Sequence, residues 1–462
     1  MPETGVRHPG RVDDDAAHAP SRGWGTYLIA AAAMVPIMVP SGPVQLAFVD
    51  GINLVALALF AGLALTRGLA IQAPLAWPFL LVALGSLLAM TSAISVPVGF
   101  LALVQDLYLF LWFVMLTTLM VRRGDLKAVR ITWLWAANLV AVYCIVLAVT
   151  HGGGISAGLL GLRGFRPAAT FYNPNMLADY LMLSVFIALG LEGKTSWRLL
   201  VPSLVLLVGA LVLTKSNGGL ISITAGLAVW MIARAMARRV AVQRVAGVAA
   251  LLLAVGVLGA WGLMASGAGG ALVRHLETHS FMGRAGHSLE SRQAIWEQLQ
   301  RSYQRSPIGI GPGNSAEQIL PIGERERPDS FRSKESHNDY LAYAIERGPL
   351  GLIGLLLAVA MVFLMVLRGR GRIALREPSA AAAAALWASL LGALVGAAVH
   401  SAVLERLHFR HFWLFMAIVC ALVARVPASS RLVRPRSIVE RGGSRLPVPR
   451  VSQPTPAVLR RA

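Results

Sequence analysis

Apolar runs long enough to cross a bilayer recur along most of this 462-residue chain. A membrane-crossing helix needs about 20 mostly apolar residues, and in lipid its backbone polar groups must bond within the segment. A chain that repeats such runs is confined to helices threaded back and forth through a membrane. Composition agrees with this. Hydrophobic residues make up 56%, mean hydropathy is +0.64 and only 14% of residues are charged, where a soluble domain carries about 25%. The expected fold is all-α, a polytopic membrane protein of about twelve transmembrane helices with one large external loop.

The candidate spans are Tyr27 to Pro40, Gly51 to Leu65, Leu75 to Met90, Leu101 to Met120, Ile131 to Thr150 and Pro174 to Leu191. They continue with Leu199 to Thr214, Gly218 to Ile232, Val245 to Met264, Pro349 to Leu367, Ala382 to Val399 and Phe412 to Val423. Residues 1–25 lack the apolar core of a secretory signal and read as a disordered cytoplasmic tail. Residues 26–265 hold helices one to nine, 266–348 form the external loop, 349–425 hold helices ten to twelve, and 426–462 form a basic cytoplasmic tail. Cys144 and Cys420 fall inside apolar runs, as lipid-facing or packed thiols, with neither a disulfide framework nor metal spacing.

The formal net charge of +20 suggests a nucleic-acid partner. The distribution of that charge argues against one. Arg67, then Arg122, Arg123, Lys127 and Arg130, then Lys194 and Arg198 fall in alternate connections. Arg234 to Arg244 and Arg368 to Arg376 continue the pattern. This is the cytoplasmic bias of short basic loops, and it puts both termini in the cytoplasm.

Some cations break the pattern. Arg163 and Arg166 precede the sixth span, Lys215 sits in the turn between the seventh and eighth, and Arg406, His408, Arg410 and His411 occupy the last connection. Each alone is explained by a side chain reaching for the interface. Together, cations on the outer face point to an anionic ligand such as phosphate.

Within the long loop, "SLESRQAIWEQLQRSYQRSP" reads as an amphipathic helix ended by Pro307, with Leu289, Ile295, Trp296 and Leu299 in its apolar stripe. Arg292 lies toward that stripe, either as a rim residue or aimed into a site at the membrane surface. "GIGPGN", Gly309 to Asn314, lacks the lysine and hydroxyl of a phosphate-binding loop and reads as a structural turn. In "SHNDYLAYAI", the Ser-x-x-Asp spacing makes Ser336 the helix N-cap and puts His337 in the first turn. The helix dipole and nearby arginines disfavour protonation there, which suits a general base; the alternative is a histidine that only packs. "FYNPNMLADYL" is a second helix start, capped by Asn173 with Pro174 at the first position. Asp50 and Asp106 sit near span ends, where structural roles are expected.

"SRQAIWEQLQRSYQRSPIGIGPGN" with "SHNDYLAYAIERGPLG" resembles the signature region of the O-antigen ligase and O-antigen polymerase superfamily, and "RGFRPAATFYNPNMLADYL" resembles that family's segment before a mid-chain span. The resemblance implies an integral-membrane glycosyltransferase of the GT-C type in the bacterial inner membrane. Such an enzyme takes a glycan from undecaprenyl diphosphate and passes it to lipid A-core, or to another carrier-linked glycan. It implies no metal and no cofactor. His337 and Arg292 match the family's catalytic positions. Lys215, Arg166 and Arg163 would grip the diphosphate, together with Asn217, which stands where the family has an arginine. Ser336, Asn338, Asn173 and Asn175 would support them. The rival from another class is a twelve-span transporter of an anionic substrate, for which no internal repeat is evident.

Overall fold

Caps and breaks in the sequence divide the apolar runs into discrete helices. A computed structural model describes residues 22–37, 48–151, 165–171, 173–193, 195–237, 295–315 and 336–424. The expected ninth span lies outside these residues, as do 1–21 and 426–462; residues 22–25, expected in the disordered tail, are instead helical. Twelve α-helices can be labelled. They are α1 (Arg22–Met34), α2 (Phe48–Arg67), α3 (Ala76–Ala89), α4 (Val96–Arg123), α5 (Leu126–Thr150) and α6 (Pro174–Leu189). The second half holds α7 (Trp197–Leu213), α8 (Asn217–Ala237), α9 (Asp339–Arg368), α10 (Arg370–Arg376), α11 (Ala380–Ser401) and α12 (Arg410–Val423). Residues 295–305 are also helical, and no strand occurs among the described residues.

Six of these helices (α2, α4, α5, α8, α9 and α11) are long and apolar enough to cross a membrane. The chain is an all-α polytopic membrane protein, as composition requires. Local chemistry sets the boundaries. Pro97 opens α4, and Gly124 closes it in a left-handed conformation (φ 74°), its N–H bonding back to Met120. Ser379 caps α11 by accepting from the Ala382 N–H.

Helix α6 is buried all along Leu177–Leu189, with α5, α7, α8, α11 and α12 packed against it. Helices α8 and α11 cross closely at a glycine pair: a Cβ on Gly226 would meet the Gly392 carbonyl oxygen at 2.6 Å, and one on Gly392 would meet that of Gly226 at 2.7 Å. Without an oil–water contrast to press helices together, such small residues let backbones approach and gain dispersion energy. Cys144 and Cys420 are both buried thiols, which makes them packed rather than lipid-facing.

Helix α9 carries a break. Gly348 has φ 64° and ψ −168°, and Pro349 follows it. The chain bends there, so the apolar span begins at Pro349 while the preceding turns carry polar residues. The "GIGPGN" turn docks against this bend. Ile310 and Gly311 donate their N–H groups to the carbonyls of Ile345 and Glu346. The Glu346 carboxylate accepts from the Gly313 and Ser315 N–H groups and from the Ser315 hydroxyl at 2.5 Å. Those amides are therefore committed to a carboxylate of the protein, and the turn is structural, as its sequence suggests. Arg347 bridges Glu346 (3.0 Å) and Asp106 (2.6 Å), while Asp50 pairs with Arg410 and Tyr108. Both aspartates near span ends thus staple helices together.

Candidate active site

Four segments meet at the end of the bundle where α6, α8, α9 and α12 begin: residues 165–175, the α7–α8 turn, residues 336–340, and the α11–α12 connection. At α6, Asn173 caps as the sequence predicts, accepting from the Asn175 N–H at 2.8 Å, with Pro174 at the first helical position. Asn175 then accepts a hydrogen bond from Arg166 Nη2 at 2.8 Å, and Arg166 Nε donates to the Thr214 carbonyl at 3.0 Å. Arg166 therefore ties the α6 start to the turn that carries Lys215.

That turn is tight. Ser216 accepts from the Gly219 N–H and so caps α8, whose first residue is the half-buried Asn217. Lys215 is buried and holds a left-handed backbone, φ 54°. Burying an ammonium is costly without compensation, so its environment has to favour positive charge or a bound anion.

At the α9 start the structure corrects the expectation from sequence. Asn338, not Ser336, is the N-cap, its side chain accepting from the Leu341 N–H at 3.1 Å. Ser336 instead donates its hydroxyl to the Glu405 carboxylate at 2.5 Å. His337 consequently precedes the cap rather than lying in the first helical turn. Its backbone is left-handed at φ 52°, and its side chain is half-buried. Trp296 donates its indole N–H to the Ser336 carbonyl at 2.8 Å, which fastens the 295–305 helix beside His337. Arg292 and Arg163 lie outside the described residues.

The non-glycine residues with positive φ among those described are Ala169, Lys215 and His337. Each sits in one of the converging segments. A left-handed non-glycine residue costs on the order of 1–3 kcal/mol and persists only where surrounding contacts enforce it.

Below these segments lies a buried cluster that the sequence reading did not assign. Asp179 on α6 receives His400 Nδ1 at 2.7 Å on one carboxylate oxygen and His411 Nε2 at 2.8 Å on the other. Arg406 Nη2 stands 3.1 Å from Asp179 as an ion pair. Each imidazole must carry its proton on the nitrogen facing the carboxylate. Phe171, Tyr180 and Phe409 surround the His411 ring. The Arg406 backbone N–H donates to Asp339 at 3.1 Å, so residues 405–406 link the Asp179 cluster to the segment carrying His337. A Cβ on Gly218 would lie 3.3 Å from His400 Nε2, so the Lys215 turn rests on the same cluster. Arg166, Lys215 and His337 are thereby joined through one continuous set of contacts.

Arg406 is fully buried, and none of its three guanidinium nitrogens has a hydrogen-bond acceptor among the described residues. A buried donor left unmatched costs about 1–3 kcal/mol, and more when charged. The sequence signal for this cluster was an aspartate inside the apolar run "NMLADYLML" and two histidines flanking the last connection.

A family model described as O-Antigen ligase matches residues 202–356. The match covers about a third of the chain and supports a likeness to the O-antigen ligase superfamily. The family match takes in Lys215, Asn217, Arg292, Ser336, His337 and Asn338, and stops before the connection that carries Arg406. No curated protein matches the chain.

Proposed function

We propose that the protein is a glycosyltransferase that moves a glycan from a polyprenyl-diphosphate carrier to an acceptor hydroxyl, on the outer face of the bacterial inner membrane. The supporting observation is the strained pair. Lys215 and His337, a cation and a potential base, are each held in a left-handed backbone at the same end of the bundle and within the family-matched stretch.

In this reading Lys215 and Arg166, with Arg163 and Arg292 from outside the described residues, neutralise charge on the departing diphosphate. Asn217 contributes a polar contact at the same turn. His337 accepts the proton of the acceptor hydroxyl, which attacks the anomeric carbon from the face opposite the diphosphate and inverts it. One C–O bond forms, the sugar–phosphate bond breaks, and the carrier leaves as its diphosphate. Ser336, Asn338, Asn173 and Asn175 hold the backbone that presents these groups. In this reading both termini lie in the cytoplasm, which the bias of the basic connections supports.

The reading is tested with purified full-length chain in lipid nanodiscs, supplied with a polyprenyl-diphosphate-linked glycan and either lipid A-core or a second carrier-linked glycan. Transfer to lipid A-core supports a ligase. Chain growth on the carrier alone makes the protein a polymerase of the same superfamily. Transfer to neither acceptor, with flux of an anionic solute in liposomes, overturns the enzyme reading in favour of a transporter.

A further inference from the structure

His337 keeps a left-handed backbone, φ 52°. A non-glycine residue leaves that region unless its surroundings hold it there. The holding groups come from one short segment. The hydroxyl of the fully buried Ser336 donates to Glu405 Oε1 at 2.5 Å, and the same oxygen accepts the Asn338 N–H at 3.3 Å. On the other side of His337, one oxygen of the buried Asp339 carboxylate accepts the backbone N–H groups of Arg406 and Leu407, at 3.1 and 3.4 Å. The two links run in opposite directions. A side chain of 405–407 takes hold of residue 336, and the side chain of residue 339 takes hold of 406 and 407. His337 lies between them, so both ends of its turn are tied to the α11–α12 connection.

That connection is itself fixed to the bundle. Arg406 pairs with Asp179 on α6 at 3.1 Å, and Asp179 is filled by His400 near the end of α11 and His411 at the start of α12. Trp413 donates its indole N–H to the Leu407 carbonyl at 2.6 Å. The place of His337 is thereby set by α6, α11 and α12, and not by the start of its own helix alone. Of the two links, the one through Glu405 is the shorter. A hydroxyl on a carboxylate is charge-assisted and roughly twice as strong as a neutral pair. Glu405 is half-buried, so replacing it disturbs the packed interior less than replacing Asp339 would.

We propose that Glu405 is a positioning residue for His337, acting through the Ser336 hydroxyl to hold the turn that presents the imidazole. This rests on the role given to His337 above, and it adds a residue beyond the family-matched stretch. Glu405 serves as a hydrogen-bond acceptor, so glutamine, which keeps an acceptor oxygen at the same reach, substitutes for it in large part.

Two readouts on the full-length chain in nanodiscs test this. The first needs no catalysis: the rate at which diethyl pyrocarbonate modifies each histidine, read by peptide mass spectrometry. Glu405→Ala should raise the rate at His337 about tenfold, the size of one lost hydrogen bond to a charged group, with the buried His400 and His411 still protected. The second is glycan transfer. A misplacement of about 1 Å costs about a hundredfold, so Glu405→Ala should lower kcat by about that factor at an unchanged KM for the donor, and Glu405→Gln should restore most of it. Ser336→Ala removes the same hydrogen bond from its other partner and serves if Glu405→Ala does not yield monodisperse protein. A His337 rate that does not rise overturns the proposal. So does a rise at all three histidines, which marks a general loosening of the fold. Equal losses of kcat in the alanine and glutamine variants also overturn it, making the charge of Glu405 the cause, as does a raised donor KM at unchanged kcat. If the parent chain transfers no glycan while His337 alone responds, the transferase reading fails and the positioning of His337 stands. Transfer by the parent with an unresponsive His337 sinks the role of Glu405 alone.

Discussion

Two buried polar networks occupy the same end of this bundle, and they are built on opposite principles. At the α9 bend, both oxygens of Glu346 accept hydrogen bonds, and Arg347 uses both terminal nitrogens, one on Glu346 and one on Asp106. At the Asp179 cluster, the carboxylate is filled by two histidines while the Arg406 guanidinium hydrogen-bonds to nothing described. A network with its charges matched rigidifies the fold. One whose guanidinium keeps only an ion pair with Asp179 leaves buried donors unmatched among the described residues. The difference separates a network whose acceptors are filled from one whose guanidinium donors are not, beside the candidate site.

The comparison is sharpest where stability and activity can be made to part. Glu346→Ala leaves Arg347 to Asp106 alone and strands the Gly313 and Ser315 donors, each unmatched buried donor costing about 1–3 kcal/mol. Thermal unfolding in detergent should show this, with activity falling only as the fold falls. Gly348→Ala comes next. Its φ of 64° lies in the left-handed region, and a Cβ there would meet the Ile308 carbonyl oxygen at 2.1 Å. Strain alone is about 1–3 kcal/mol, and the clash with backbone adds to it. A near-normal melting temperature in either variant would break the assignment of this network to structure. His337→Gly should behave oppositely. Glycine relieves the φ of 52°, so stability should stay within about 1 kcal/mol of the parent or rise, while glycan transfer is lost.

Much of the fold was legible in the sequence, because in lipid the backbone constraint acts locally. The apolar runs gave the helices, Asn173-Pro174 gave the α6 start, and Pro349 was read as the start of a span, where the structure places the α9 bend. The candidate site was legible where its residues lie in short motifs, as at Lys215 and His337. It was misread at Ser336, whose local capping signature lost to Glu405, 69 residues away. The Asp179 cluster was missed for the same reason. Its histidines come from 221 and 232 residues downstream, a separation that no local pattern encodes.

The most direct test of the account is the rate of glycan transfer by purified His337→Ala protein, with unfolding measured on the same sample. A positioned base contributes about 10²–10⁴-fold. The account predicts a loss of that size with the fold and donor binding intact. Transfer at the wild-type rate would contradict it and leave His337 as a packed residue with no part in the chemistry.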